Sequence, residues 1–264
     1  MAVLGQVATE AFPQLTITQS QTWVPPQDGT VCIHVVGAGA GGKGYNITVY
    51  GGGAGAYAKI PTLAVTTSGS YTLVVGVGGA GSAGGNAAGA GGNSTIAGTG
   101  LTGTKTAGGG NAPGGSAGGA GGTVSGSGES WAGYSGGAGN YSGGAVGIFA
   151  TGQTGVGGSI GNGGMTDAQS GGLAMSGYGI ICGGTEMSNN LDNNNNGMPS
   201  QCFPAGDLCG GGAYIYSNQG VIATYGASGG VGGGGGSARN INNGGYSRAG
   251  SGGDGIILIQ YLPW

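Results

Sequence analysis

The run GAGAGG at 37–42 follows directly on VCIHVV and has the G-x-G-x-x-G spacing with which a strand-to-helix turn cradles a dinucleotide pyrophosphate. That chemistry needs a helix next and an acidic residue about 20 positions further on to hold the ribose. Here the chain continues KGYNITVYGGG, which has no helical pattern, and no Asp or Glu follows at that distance. With 75 glycines among 264 residues, three fixed glycines also recur by chance. The same holds for G-x-S-x-G, which occurs at 114–118, 133–137, 157–161 and 226–230. A nucleophile elbow further requires a strand-to-helix turn and a histidine base. The single histidine, His34, sits in the middle of a strand-like run and reads as a packed or surface strand residue. Eight carboxylates scattered along the chain form no acid and base pair. The chain reads as a non-enzyme without a cofactor.

Metal and thiol chemistry is thinner still. Cys32 alternates with Ile33 in an apolar run and reads as a buried thiol. Cys182, Cys202 and Cys209 bracket an Asn-rich insert; two of them could pair in an oxidising medium, but three cannot all pair, and zinc-type C-x2-4-C spacings are missing. Within that insert, 192–197 (DNNNNG) matches the opening of a calcium loop, in which Asp192, Asn194 and Asn196 would face the ion. Position 12 of that loop would be Phe203 where glutamate belongs, so the metal reading is weak. A solvated Asn-rich loop bonding its own backbone, or a contact loop without metal, are the alternatives.

Residues 129–141, ESWAGYSGGAGNY, set Trp131, Tyr134 and Tyr141 among Gly, Ser and Asn. Large rigid rings in such company are the chemistry of binding loops, with contact area at low entropy cost and adaptable hydrogen bonds beside it. The equal alternative is that these rings plug gaps in a glycine-rich scaffold. Tyr214, Tyr216 and Tyr225 lie in strand-like sequence and read as packing residues.

The elements that must hold these residues are constrained by composition. Glycine is about four times commoner than in ordinary proteins, while charged residues are 5% and the formal net charge is −3. Eight prolines and no strict Gly-X-Y period exclude collagen. Twelve Tyr, three Trp and three Phe with so little charge argue against conventional disorder. Five Lys and Arg cannot neutralise a phosphate track, so no nucleic-acid partner is expected. The start, MAVLGQVATEAFP, lacks the basic and apolar regions of a secretory signal, and no window is apolar for about 18 residues.

Helical periodicity is missing throughout, whereas strands are predicted at 15–19, 31–36, 45–50, 56–60, 70–75 and 256–262. Pairing of the last with the first group would bring the chain ends together. The expected architecture is therefore all-β with essentially no α-helix: a small β-sandwich from 1–75 plus 254–264, carrying a glycine-rich body over 76–253 with an insert at 180–209. Gly-rich segments can form threefold left-handed helices of polyglycine-II type, rising about 3.1 Å per residue with no internal hydrogen bonds. Such helices must bond to one another, so the body is expected to be a lattice of main chain packed on main chain.

The stretches QTWVPPQDGTVCIHVVGAGAGG (21–42), GGGAGAYAKI (51–60), SYTLVVGVGGAG (70–81) and GGDGIILIQYL (252–262) resemble the glycine-rich domain of phage tail and tail-fibre proteins. The body is also similar to the polyglycine-helix fibre-tip adhesins of T-even-like phages, in which variable loops between Gly-rich motifs touch the host receptor. The resemblance implies a virion protein, a tail-fibre or tail-tip adhesin. Its partners would be a bacterial surface receptor (an outer-membrane protein or a glycan) and other tail or virion proteins. Open strand edges point to a homo-oligomer, a trimer among the options. On this reading the receptor contacts are Trp131, Tyr134, Tyr141, Asn190, Asn194, Met198 and Phe203. The alternative is a purely structural virion component, such as a capsid decoration or neck appendage.

Overall fold

The alternation of GTVCIHVV fixes the central strand, β3 (Gly29–Val36). Val31, Ile33 and Val35 are sealed from solvent, while Cys32 and His34 on the opposite face stay partly exposed. The structure, a computed structural model, describes residues 14–45, 48–83, 86–114, 117–140, 143–155, 187–189, 210–211, 214–216, 224–226, 228–240 and 247–263.

Strand β3 lies in a five-stranded antiparallel sheet. Its neighbours run in the order β1 (Gln14–Ile17), β17 (Ile256–Tyr261), β3, β6 (Tyr57–Val65) and β11 (Ala132–Tyr134). The closing run IILIQYL thus inserts between two strands from the start of the chain, and the ends meet as the sequence predicts. A second five-stranded antiparallel sheet has the order β10 (Val124–Ser125), β9 (Lys105–Ala107), β8 (Ser94–Gly98), β7 (Tyr71–Val74) and β2 (Gln21–Trp23). Four of these ten strands, β8 to β11, come from the Gly-rich stretch, which therefore supplies sandwich as well as lattice. Three small pairings complete the described residues. The hairpin β4 (Lys43–Tyr45) with β5 (Thr48–Tyr50) is antiparallel. The triplet β12 (Met187–Asn189), β13 (Tyr214–Tyr216) and β15 (Ala238–Asn240), and the pair β14 (Thr224–Tyr225) with β16 (Ser247–Arg248), are parallel. No α-helix is present among the described residues.

One apolar cluster joins the two large sheets. Val31, Ile33, Val35, Ile257 and Ile259 from the first meet Trp23, Tyr71, Leu73 and Ile96 from the second. Each such side chain, when fully buried, contributes roughly 1.5–3 kcal/mol, which makes this sandwich the side-chain core of the chain. Trp23 and Tyr71 are register partners whose ring centroids lie 5.2 Å apart. Between β3 and β6 the register slips between Val31 and Ile33, where β6 carries Pro61; a residue without an N–H suits a bulge.

Beyond the sandwich the strands do not stop; their pairing continues with a different period. Val36 pairs with Tyr57, and in the same register Gly37 and Ala40 donate to the carbonyls of Ala56 and Gly53 at 2.9 Å each. Ile256 pairs with Val36, and Gly39 and Gly42 then donate to Gly253 and Gly250. The intervening amides turn to the other sheet's continuation, Ala38 to Gly92 and Gly41 to Gly89. Residues 37–42 thus visit three neighbours in rotation. Their carbonyls accept from three more, through Gly79 on Gly39, Gly110 on Ala38 and Gly235 on Ala40. Residues 51–56 repeat the rotation, with 51 and 54 donating to one neighbour, 52 and 55 to a second, 53 and 56 to a third. This is threefold hydrogen bonding with six surrounding segments. It is open only to chains whose backbones approach far closer than the roughly 10 Å between stacked sheets. Where the lattice lacks a carbonyl, side chains accept: Ser94 Oγ from Gly76 N–H at 3.0 Å, Asp254 Oδ1 from Gly78 at 2.7 Å, and Asn93 Oδ1 from Gly109 at 2.9 Å.

Candidate functional site

The outward face of the first sheet is built from the residues that alternate with the core. Cross-strand register arranges them in rows. Tyr134, Tyr57, Val36 and Ile256 form the row nearest the lattice, and Ala132, Lys59, His34 and Leu258 the next. Beyond them Gln260 stands opposite Gln14 on one side and Cys32 on the other. Ile148, Phe149 and Val231 close the apolar end, and together these residues, Cys32 excepted, line a groove of about 710 Å³. Tyr134 is 40% exposed and Phe149 61%, so two of the large apolar side chains that face solvent stand at this groove.

The polar groups of the groove are linked. A 2.8 Å hydrogen bond joins His34 Nδ1 and Tyr57 Oη, with donor and acceptor set by the imidazole tautomer, and the two rings stack at 5.9 Å. Cys32 Sγ lies 3.4 Å from His34 Nε2. Burial pushes the His34 pKa down, and the nearby Lys59 ammonium pushes it the same way. Burial pushes the Cys32 thiol up against the opposing pull of Lys59, and it pushes Tyr57 up to about 12, assisted by Cys32 and Tyr134. At neutral pH, thiol, imidazole and phenol are therefore uncharged. That is the reverse of the thiolate an activated cysteine needs, so the Cys32–His34 contact is a packed polar pair. Among the described residues, Lys59 is the one charged side chain lining the groove, no carboxylate lines it, and Lys59 makes no ion pair.

The GAGAGG run has no capacity for phosphate. All six of its amides are bonded to neighbouring backbone carbonyls, and the whole run is buried. Among the described residues no three His, Cys, Asp or Glu stand together as a metal group, and no helix is long and apolar enough to cross a membrane.

Of the residues singled out from sequence, Tyr134 lines the groove, on the edge strand β11. Trp131 lies outside it, partly buried against the main core with its indole N–H donating to the Ser125 carbonyl at 3.0 Å. His34 is the mid-strand residue expected, and Cys32 is a free, half-buried thiol. Tyr141, Asn190, Asp192, Asn194, Asn196, Met198 and Phe203, and with them Cys182, Cys202 and Cys209, lie outside the described residues. Lys59, Tyr57, Leu258, Gln260 and Phe149 were not predicted. For the first four a signal existed, since each alternates with a core residue of its own strand; Phe149, in GIFAT, offers none.

Comparison with known proteins decides the family. A family model described as a glycine-rich domain matches residues 16–262, nearly the whole chain, including all the groove residues but Gln14. The chain belongs to the glycine-rich domain family. None of the curated proteins compared with it matches. In this glycine-rich domain glycine builds most of the lattice, while the groove beside it is lined mainly by non-glycine positions.

Proposed function

We propose that this glycine-rich domain is a phage virion protein, a tail-fibre or tail-tip adhesin that binds a bacterial surface receptor by contact and without catalysis. The observation that carries the reading is the exposed ring pair, Tyr134 and Phe149, standing over an open groove on a sheet whose inner face is fully packed. Aromatic anchors on a rigid frame bind with little ordering cost, and modest contacts become firm when several copies engage a surface. The edge strands β1 and β11 of the first sheet, with no further strand beside them among the described residues, suit assembly with further copies or with other virion proteins.

Two measurements test it. Immunogold labelling of virions with an antibody to the chain is expected to mark the tail end, and particles carrying Tyr134→Ala with Phe149→Ala are expected to adsorb to host cells at least about tenfold less. Label spread over the head would favour the structural alternative, a decoration or neck protein. Tail label with unchanged adsorption would remove the groove from receptor binding.

A further inference from the structure

We propose that the groove binds a single-chain anionic amphiphile, one alkyl chain ending in a carboxylate, with the head group at Lys59 and the chain laid toward Ile148, Phe149 and Val231. The inference deepens the reading of the same site but rests on the groove's chemistry, not on the virion assignment.

Three observations carry it. First, the lining is graded: Tyr134, Tyr57, Val36, Ile256, Ile148 and Phe149 make one end apolar, and the polar groups Lys59, His34, Gln260 and Gln14 collect toward the other, with Leu258 and Ala132 between them. Successive rows on one sheet face are about 7 Å apart, so a chain anchored at Lys59 crosses the row of Tyr57, Val36 and Ile256 about 7 Å away and continues along Ile148, Phe149 and Val231 beyond it. A cavity of about 710 Å³ also falls within the range of small-ligand sites. Second, the charge is complementary. Among the described residues the groove holds one ammonium and no carboxylate, in a chain whose formal net charge is −3. His34, bonded to Tyr57 through Nδ1 and to Cys32 through Nε2, brings no competing charge. Third, the frame is preformed. The floor strands β17, β3 and β6 are held on their far face by the main core, so the groove need not assemble on binding. A glycan would leave most of this apolar lining unused, and a lipid surface would not need a groove sized for one chain.

The test uses the purified chain and sodium dodecanoate below its micellar concentration, with dodecanol as the uncharged control and phosphatidylglycerol vesicles as the surface control. Calorimetric titration is expected to show saturable binding of one dodecanoate per chain, weakened about two- to fivefold by Lys59→Gln, as expected for an exposed charge pair. Dodecanol binding is expected to be unchanged in Lys59→Gln. Phe149→Ala is expected to weaken both ligands. All these positions are on the solvent-facing side of the sheet, and circular dichroism of each variant checks that the fold is kept. No saturable binding, or dodecanoate binding indifferent to both Lys59→Gln and Phe149→Ala, overturns the proposal. So does Lys59-dependent binding to vesicles when the monomer fails to bind. Loss of host adsorption plays no part in this readout, so the two proposals fail separately.

Discussion

At the scale of single residues, the sharpest electrostatic feature lies beside the groove strand β11 and not in the groove. Lys105 is fully buried in a chain nearly devoid of charge. Its Nζ donates to the carbonyls of Thr102, at 2.9 Å, and Ser127, and pairs with the carboxylate of Glu129. Glu129 also accepts from the Thr102 hydroxyl at 2.8 Å and the Thr102 amide at 3.0 Å. Glu129 and the following Ser130 adopt left-handed φ of 47° and 53°, a conformation that side chains disfavour and that the pair holds in place just before Trp131 and β11. The hydrogen bond from Lys105, and then that from Thr102, hold the Glu129 carboxyl below its usual range. A carboxyl depressed in the folded state stabilises fully above its ordinary unfolded value, and that contribution drains away as pH falls through the folded value. The thermal midpoint of the native chain is therefore expected to fall below about pH 4.5 more steeply than that of Glu129→Gln, whose midpoint is already lower at neutral pH. Lys105→Met is expected to be milder than Glu129→Gln, because it removes the buried charge instead of stranding it. Parallel pH profiles for the native chain and Glu129→Gln, read by calorimetry between about pH 7 and about pH 3, would show that the pair contributes nothing.

At the scale of elements, legibility followed side-chain pattern. LTITQ, VCIHVV, AYAKI, SYTLVV and IILIQYL were readable because alternation of branched or aromatic residues marks a strand with one buried face, and each corresponds to β1, β3, β6, β7 or β17. STIAG, KTA, VS and AGY are two to five residues long and rich in Ala, Ser, Thr and Gly; their pairing comes from neighbours already in place, so nothing local announces β8 to β11. The same reason hid most of the groove. Tyr134 stood out by type, but Lys59, His34 and Leu258 share a row only because β6 and β17 pair on either side of β3, a fact of topology and not of spacing. The lattice leaves no side-chain signal except glycine itself, and here one substitution separates close approach from mere abundance. A Cβ at Gly55 would collide with the backbone carbonyl of Gly37, whereas a Cβ at Gly114 would meet nothing. Gly55→Ala is expected to destabilise the fold by at least about 1–3 kcal/mol in urea denaturation, while Gly114→Ala is expected to be neutral or slightly stabilising. Equal midpoints for the two variants would mean that the segments are not packed backbone to backbone.

At the scale of the whole molecule, sandwich and lattice are one continuous pairing with two spacings. The antiparallel register of β3 with β6 and with β17 runs on into 37–42, 51–56 and 250–253 without a break. The two sheets, held apart in the sandwich by Ile33, Leu73 and Ile96, become directly hydrogen-bonded to one another once the side chains end. Loosening 37–42 would free carbonyls and amides in six other segments at once, and each unpaired buried group costs about 1–3 kcal/mol. Local opening is therefore more expensive than the loss of any single bond, although 37–42 and 51–56 carry no side chain larger than a methyl. The lattice is expected to open only with the sandwich. In native-state hydrogen exchange at rising urea, amides of 37–42 and 51–56 should converge on the same opening free energy as those of β3, and Gly55→Ala should lower both together. Amides of 37–42 that exchange at urea concentrations where β3 stays protected would make the lattice a separate and weaker unit. The groove, whose far wall at Ile148, Phe149 and Val231 adjoins lattice residues, would then lose its rigid support.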